Sequence, residues 1–226
     1  MKYYSLGGVE MVTNVLASRF LDNGCRVSIV SFIEPSNEIL CRKDSRIIYY
    51  LLSGFNTSKK NIDQLRNILI EEKIDIVINQ WGLPYVPIYV LKKASKGLSL
   101  KIFSVHHNSP KTNGRLKDIE IAMSETNNKF CALILCMKKV LTYYVTSYSM
   151  WYVYQKSDKY ILLSDSYIRE FLSFTRVKKA TKLVVITNPI TIPYIEEYEK
   201  ILSYKRKEII YVGRIDYNQK RGISSY

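Results

Sequence analysis

The sequence predicts an α/β fold in which a parallel sheet is flanked by helices, and two observations carry that expectation. Short β-rich runs alternate with segments of helical periodicity along the chain, the pattern of strands joined by helical crossovers. Several of the runs are nearly continuous in β-branched or aromatic residues, as strands covered on both faces are.

Taken in order, residues 10–23 place Met11, Val12, Val15, Leu16 and Phe20 at helical spacing, and Gly24 supplies a C-terminal cap. Strands are expected at Cys25–Ile33 and Arg46–Leu52. In 61–73, Ile62, Leu65, Ile68 and Leu69 form one apolar stripe with charges opposite. Further strands follow at Ile74–Asn79 and Leu100–Val105. The apolar and aromatic run Cys131–Tyr154 reads as a long helix, mostly core; Lys138 and Lys139 interrupt it, and it is not expected to span a membrane. Lys159–Ser164 and Lys182–Thr187 complete the strands, with Ser164 and Asp165 positioned to cap the intervening helix of Tyr167, Ile168, Phe171 and Leu172.

Composition narrows the function classes. The 226 residues are 47% hydrophobic and 24% charged, which suits a globular chain with a substantial core. Cys25, Cys41, Cys131 and Cys136 form no C-x-x-C pair and have no histidine at metal-ligand spacing, so no metal site or disulfide framework is indicated. A reducing, cytoplasmic location is expected, with peripheral contact at the inner face of the membrane as an option. Thirty-four Lys and Arg against twenty Asp and Glu leave a net charge of +14, which favours anionic surfaces. Neither G-x-G-x-x-G, G-x-x-x-x-G-K-[ST] nor H-E-x-x-H occurs, which disfavours dinucleotide oxidoreductases, P-loop nucleotidases and zinc peptidases.

Four motifs in order carry a resemblance. LGGVEMVTNVLASRFLDNGCRVSIVS, SVHHNSP at 104–110, ILLSDSYIREF followed by KLVVITNPI, and IIYVGRIDYNQKRG at 209–222 together resemble the retaining family-4 glycosyltransferases. The resemblance implies the N-terminal, Rossmann-like half of a two-domain GT-B fold and the start of its second half. It implies an acceptor-side domain over 1–191, a linker over 192–207, and the first strand of a donor-binding domain over 208–226. It also implies an enzyme that moves a hexose-type sugar from a nucleotide diphosphate sugar to a glycan or lipid-linked acceptor, in cell-surface polysaccharide synthesis. No cofactor or metal is expected, and the D-x-D site of the other major glycosyltransferase fold is absent. Nucleic acid is not an expected partner. The family's E-x7-E pair lies deeper in the second domain and has no counterpart here; with only MKYYS before the glycine turn and one strand after the linker, the chain is expected to be truncated at both ends and weakly active or inactive.

The chemistry sorts the candidate residues. Charge develops on the leaving diphosphate as the glycosidic bond breaks, and backbone amides of a glycine turn opening a helix stabilise such charge. Gly7 and Gly8 stand in that position, although a simple chain reversal explains them equally without the other motifs. Arg214 and Lys220 match family positions that contact phosphates, while a surface role is the default for such residues in so basic a chain. His106 and His107 follow an apolar strand at its carboxyl end, where open α/β sheets place ligands; the resemblance gives one of them a hydrogen bond to the transferred sugar, with His107 favoured. Glu10 has an acceptor contact or, preferably, an electrostatic role at the helix start. Ser164 and Asn188 sit at strand ends facing the expected cleft, where turn and cap roles serve equally. The rival class is a non-catalytic basic module for anionic membrane or nucleic acid, and a non-functional remnant of a transferase is a third reading.

Overall fold

The computed structural model describes residues 7–42, 44–111 and 114–190. Its elements are α1 Gly8–Asp22, β1 Ser28–Ser31, α2 Asn37–Arg42, β2 Ile48–Leu51, α3 Lys59–Glu71, β3 Ile76–Asn79, α4 Tyr85–Ala94, β4 Lys101–His106, α5 Gly114–Glu125, α6 Lys129–Lys156, β5 Lys159–Leu162, α7 Ser166–Thr175 and β6 Leu183–Val185. All six expected strands are present, five of them shorter than expected and β4 shifted by one residue to end at His106, and every pairing is parallel. The expected linker and the start of a second domain lie outside the described residues.

The strands form two sheets, β1-β2 and β3-β4-β5-β6, so among the described residues β1, β2, β3 and β6 each keep one unpaired edge. Aromatic contacts span the carboxyl ends of both sheets: Phe32 packs edge-on against Phe55 at 5.4 Å, and Phe55 lies 5.5 Å from Trp81. Side chains from both sheets and the covering helices merge in one core containing Phe32, Leu65, Ile88, Met150, Tyr160 and Phe171. A smaller cluster of Ala17, Ile29, Ile39 and Ile47 seats α1 and α2.

Local chemistry explains the boundaries. α1 ends in a Schellman turn: Gly24 adopts φ +81°, its N–H donates to Leu21 O, and Cys25 N–H donates to Phe20 O. α4 carries Pro84 as N-cap and Pro87 within its first turn, where a missing N–H costs nothing because those positions have no intrahelical acceptor. The loop between β2 and α3 is built on Asn61, fully buried; its Oδ1 accepts from Ser53 N at 2.7 Å, and its Nδ2 donates to Gly54 O at 2.8 Å and Asn56 O at 3.0 Å.

The stretch 109–127 contains helix α5, packed on α6 through buried Leu116 and Ile119. Two expectations are corrected. Asp165 makes no side-chain cap bond to α7; Ser164 Oγ accepts from Ser166 N instead. Most of α6 is not core: only Thr146, Ser147, Met150, Val153 and Tyr154 are buried. An 18-residue window of α6 has mean hydropathy 1.3 with 11% of it buried, so by length and composition this helix could cross a membrane.

Candidate functional site around His107

The carboxyl ends of β3, β4 and β6 converge on two histidines. β4 lies between β3 and β5, in register from Ile76 opposite Lys101 to His106 opposite Leu162. His106 is the last residue of the strand and His107 the first beyond it. Because successive side chains of an extended chain point to opposite sides, the two rings have different surroundings.

His106 is buried at 5% exposure and stacks on Tyr160, with ring centroids 6.5 Å apart at 28°. Its Nε2 is buried with no partner. Burial pushes its pKa down to about 4; the neighbouring His107 adds to that, and the Ser109 backbone opposes it. It is therefore a neutral packing ring at ordinary pH. Tyr160 is fully buried, its own pKa raised by desolvation, and its hydroxyl donates to Gly82 O at 2.8 Å.

His107 stands at the rim and is only partly buried. Its Nε2 lies 2.9 Å from Gln80 Oε1 at the end of β3. With a carbonyl oxygen as partner, Nε2 carries the proton and Nδ1 keeps its lone pair; Nδ1 is buried and has no hydrogen-bond partner. Burial lowers the ring's pKa, while the side chain of Asn188, beyond β6, pulls it back up. A neutral imidazole with an unsatisfied acceptor at a strand end is suited to receive a ligand hydroxyl.

The surroundings hold this ring in place. Gly82 N donates to Val105 O at 2.8 Å, and a Cβ at residue 82 would lie 2.8 Å from that same oxygen, so only glycine permits this approach of the β3 loop to β4. Beneath, Asn79 Nδ2 donates to Ser104 Oγ at 3.1 Å, and Ser104 pairs with Ser157 at 2.7 Å. Beyond His107, Ser109 donates to the Glu170 carboxylate, tying this loop to α7.

The structure thus brings together His106, His107 and Asn188. Gln80, Gly82 and Trp81 join them and were not singled out by sequence reasoning; the only signal was their place directly after the β3 run. Ser164 bonds locally to Ser166 at 2.8 Å and serves the start of α7. Gly7 is the N-cap of α1, extended at φ −160° and ψ 170° with no side-chain cap, and a Cβ there would collide with the Glu10 carboxylate. Glu10 therefore folds back on the helix start, where the dipole favours it. Arg214 and Lys220 lie outside the described residues. Among those described, no group of His, Cys, Asp and Glu is arranged to hold a metal ion.

No curated protein matches the chain. The sequence model of Glycosyltransferase Family 4 matches residues 6–192, a span that includes all six strands and both histidines. The chain accordingly belongs to glycosyltransferase family 4.

Proposed function

We propose that this domain serves a retaining transfer of a hexose-type sugar from a nucleotide diphosphate sugar to a glycan or lipid-linked acceptor, in cell-surface polysaccharide synthesis at the cytoplasmic face of the membrane. The observation that carries the reading is His107, a neutral imidazole anchored through Nε2 to Gln80 with its Nδ1 unsatisfied, at a strand end of a family 4 domain. In this role His107 accepts a hydrogen bond from a hydroxyl of the transferred sugar near the reacting carbon. The Asn188 side chain interacts with the same ring and favours its protonated form.

The leaving diphosphate needs positive potential where charge develops. The N–H groups of α1 at Gly7 and Gly8 supply part of it, and arginine or lysine side chains are the groups suited to the rest. For an anion to reach α1, the Glu10 carboxylate must swing away from Gly7, so Glu10 acts as an internal occupant of that helix end. Because charge is met by amides and side-chain cations, the proposed chemistry requires no metal.

The test is equilibrium binding of a panel of nucleotide diphosphate sugars to the chain. Saturable binding of at least one, weakened about tenfold by His107→Ala as expected for one hydrogen bond, supports the reading. Equal affinity in parent and His107→Ala overturns the role of His107.

A further inference from the structure

α6 presents an exposed apolar stripe from Phe130 to Tyr148. Phe130, Leu133, Met137, Leu141, Tyr144 and Tyr148 follow one another at spacings of three and four, and all are exposed, Phe130 by 70% and Met137 by 67%. At 1.5 Å per residue the stripe runs for about 27 Å, far longer than the scattered apolar residues common on soluble surfaces. Its opposite side is satisfied by α5, so the stripe is not a core face awaiting the described part of the fold.

Charge and aromatic placement identify what covers it. α6 contains Lys129, Lys138, Lys139 and Lys156 and no carboxylate. Of these, Lys139 pairs with Glu120 of α5 at 2.9 Å. At the end nearer the core, the Arg176 guanidinium lies over the Tyr144 ring at 5.4 Å, and Tyr148 packs on Trp151 at 5.3 Å. Cations and Tyr or Trp beside an apolar stripe match the boundary between lipid head groups and acyl chains. A second copy paired through the same stripe sets lysine-bearing helices against each other without a countercharge on either. The C-terminal part of α6 is held by the domain, with Thr146, Met150, Val153 and Tyr154 buried against it, which favours a helix lying on a surface over one that leaves the fold to cross a bilayer.

We propose that the α6 stripe binds an anionic phospholipid bilayer, the helix lying in the plane of the surface with its apolar residues at the acyl boundary and Lys129, Lys138 and Arg176 on the phosphates. The inference stands apart from the transfer reading: it needs no donor and no functional His107.

The experiment is flotation of the full chain with phosphatidylcholine vesicles, with and without phosphatidylglycerol, together with quenching of tryptophan fluorescence by brominated lipid. The parent is expected to float with the phosphatidylglycerol vesicles, and quenching is expected to disappear in Trp151→Phe, leaving Trp81 unquenched. Met137→Glu with Leu141→Glu is expected to lower partitioning about a hundredfold at unchanged thermal midpoint, since both positions are solvent-exposed. Should that variant misfold, quenching of Trp151 in the parent decides: its presence supports the proposal and its absence overturns it. Three results overturn it directly: no flotation with anionic vesicles, a folded variant that floats like the parent, or a parent dimer that the variant dissociates while neither form binds vesicles. The last assigns the stripe to a second copy.

Discussion

His107 Nε2 and Gln80 Oε1 meet at 2.9 Å across the carboxyl ends of β4 and β3, residues 27 positions apart in the chain. This contact selects the tautomer with its proton on Nε2 and leaves Nδ1 a buried acceptor without a hydrogen-bond partner, the atom proposed to meet a ligand hydroxyl. Gln80→Leu keeps the size of the side chain and removes the anchor. The expected result is a folded protein whose affinity for its nucleotide sugar falls about tenfold, close to the effect of His107→Ala and not additive with it, as a double-mutant binding cycle reads.

His106 makes stability depend on pH. Its folded-state pKa of about 4 lies below the value of 6.5 for a free histidine, so the unfolded chain binds a proton that the folded one refuses. The contribution is fully present above pH 6.5 and is lost as pH falls toward and through 4. It amounts to about 3 kcal/mol over that window. His107, also shifted down, acts in the same sense. Urea titrations at pH 7 and pH 4.5 should show the loss, and His106→Phe, which retains a ring against Tyr160, should flatten it.

Gly82→Ala places a methyl group 2.8 Å from Val105 O and 3.1 Å from His106 Cβ. Either the Gly82 N–H bond to Val105 O breaks or the end of β4 moves. A loss of about 1–3 kcal/mol is expected in chemical denaturation, with a change in the NMR signals of both imidazoles.

Asn61 closes the turn between β2 and α3 with three side-chain hydrogen bonds to backbone groups. Asn61→Leu leaves Ser53 N–H and the carbonyls of Gly54 and Asn56 without that partner in a fully buried position. A destabilisation of about 1–3 kcal/mol is expected from thermal or urea unfolding.

Much of the fold was legible because strand runs such as KIFSVH and KYILLS are dense in residues that pack on both faces, and β4 and β5 are indeed central in their sheet. The short α2, α4 and α5 were not read. Two prolines in and before the first turn of α4 hide its periodicity, and α5 gains its order from packing on α6 rather than from a strong apolar stripe of its own. The error over α6 has a different origin. A helix apolar all round reads as buried, and composition alone does not distinguish a face covered by protein from one left open. At the site, His107 and Asn188 were recognisable at strand ends, whereas Gln80 was an ordinary polar residue after a strand. Its pairing with His107 depends on which strands are neighbours, which is a property of topology and not of local sequence.

In the proposed transfer His107, and not its neighbour, meets the sugar. Since the chain has only two histidines, each imidazole gives its own NMR signals, and His107→Ala assigns them. Titrating the panel of nucleotide diphosphate sugars should shift the His107 nitrogen signals saturably for at least one member while the His106 signals hold nearly still. Signals of His107 that stay unmoved by every donor up to millimolar concentration would contradict the account.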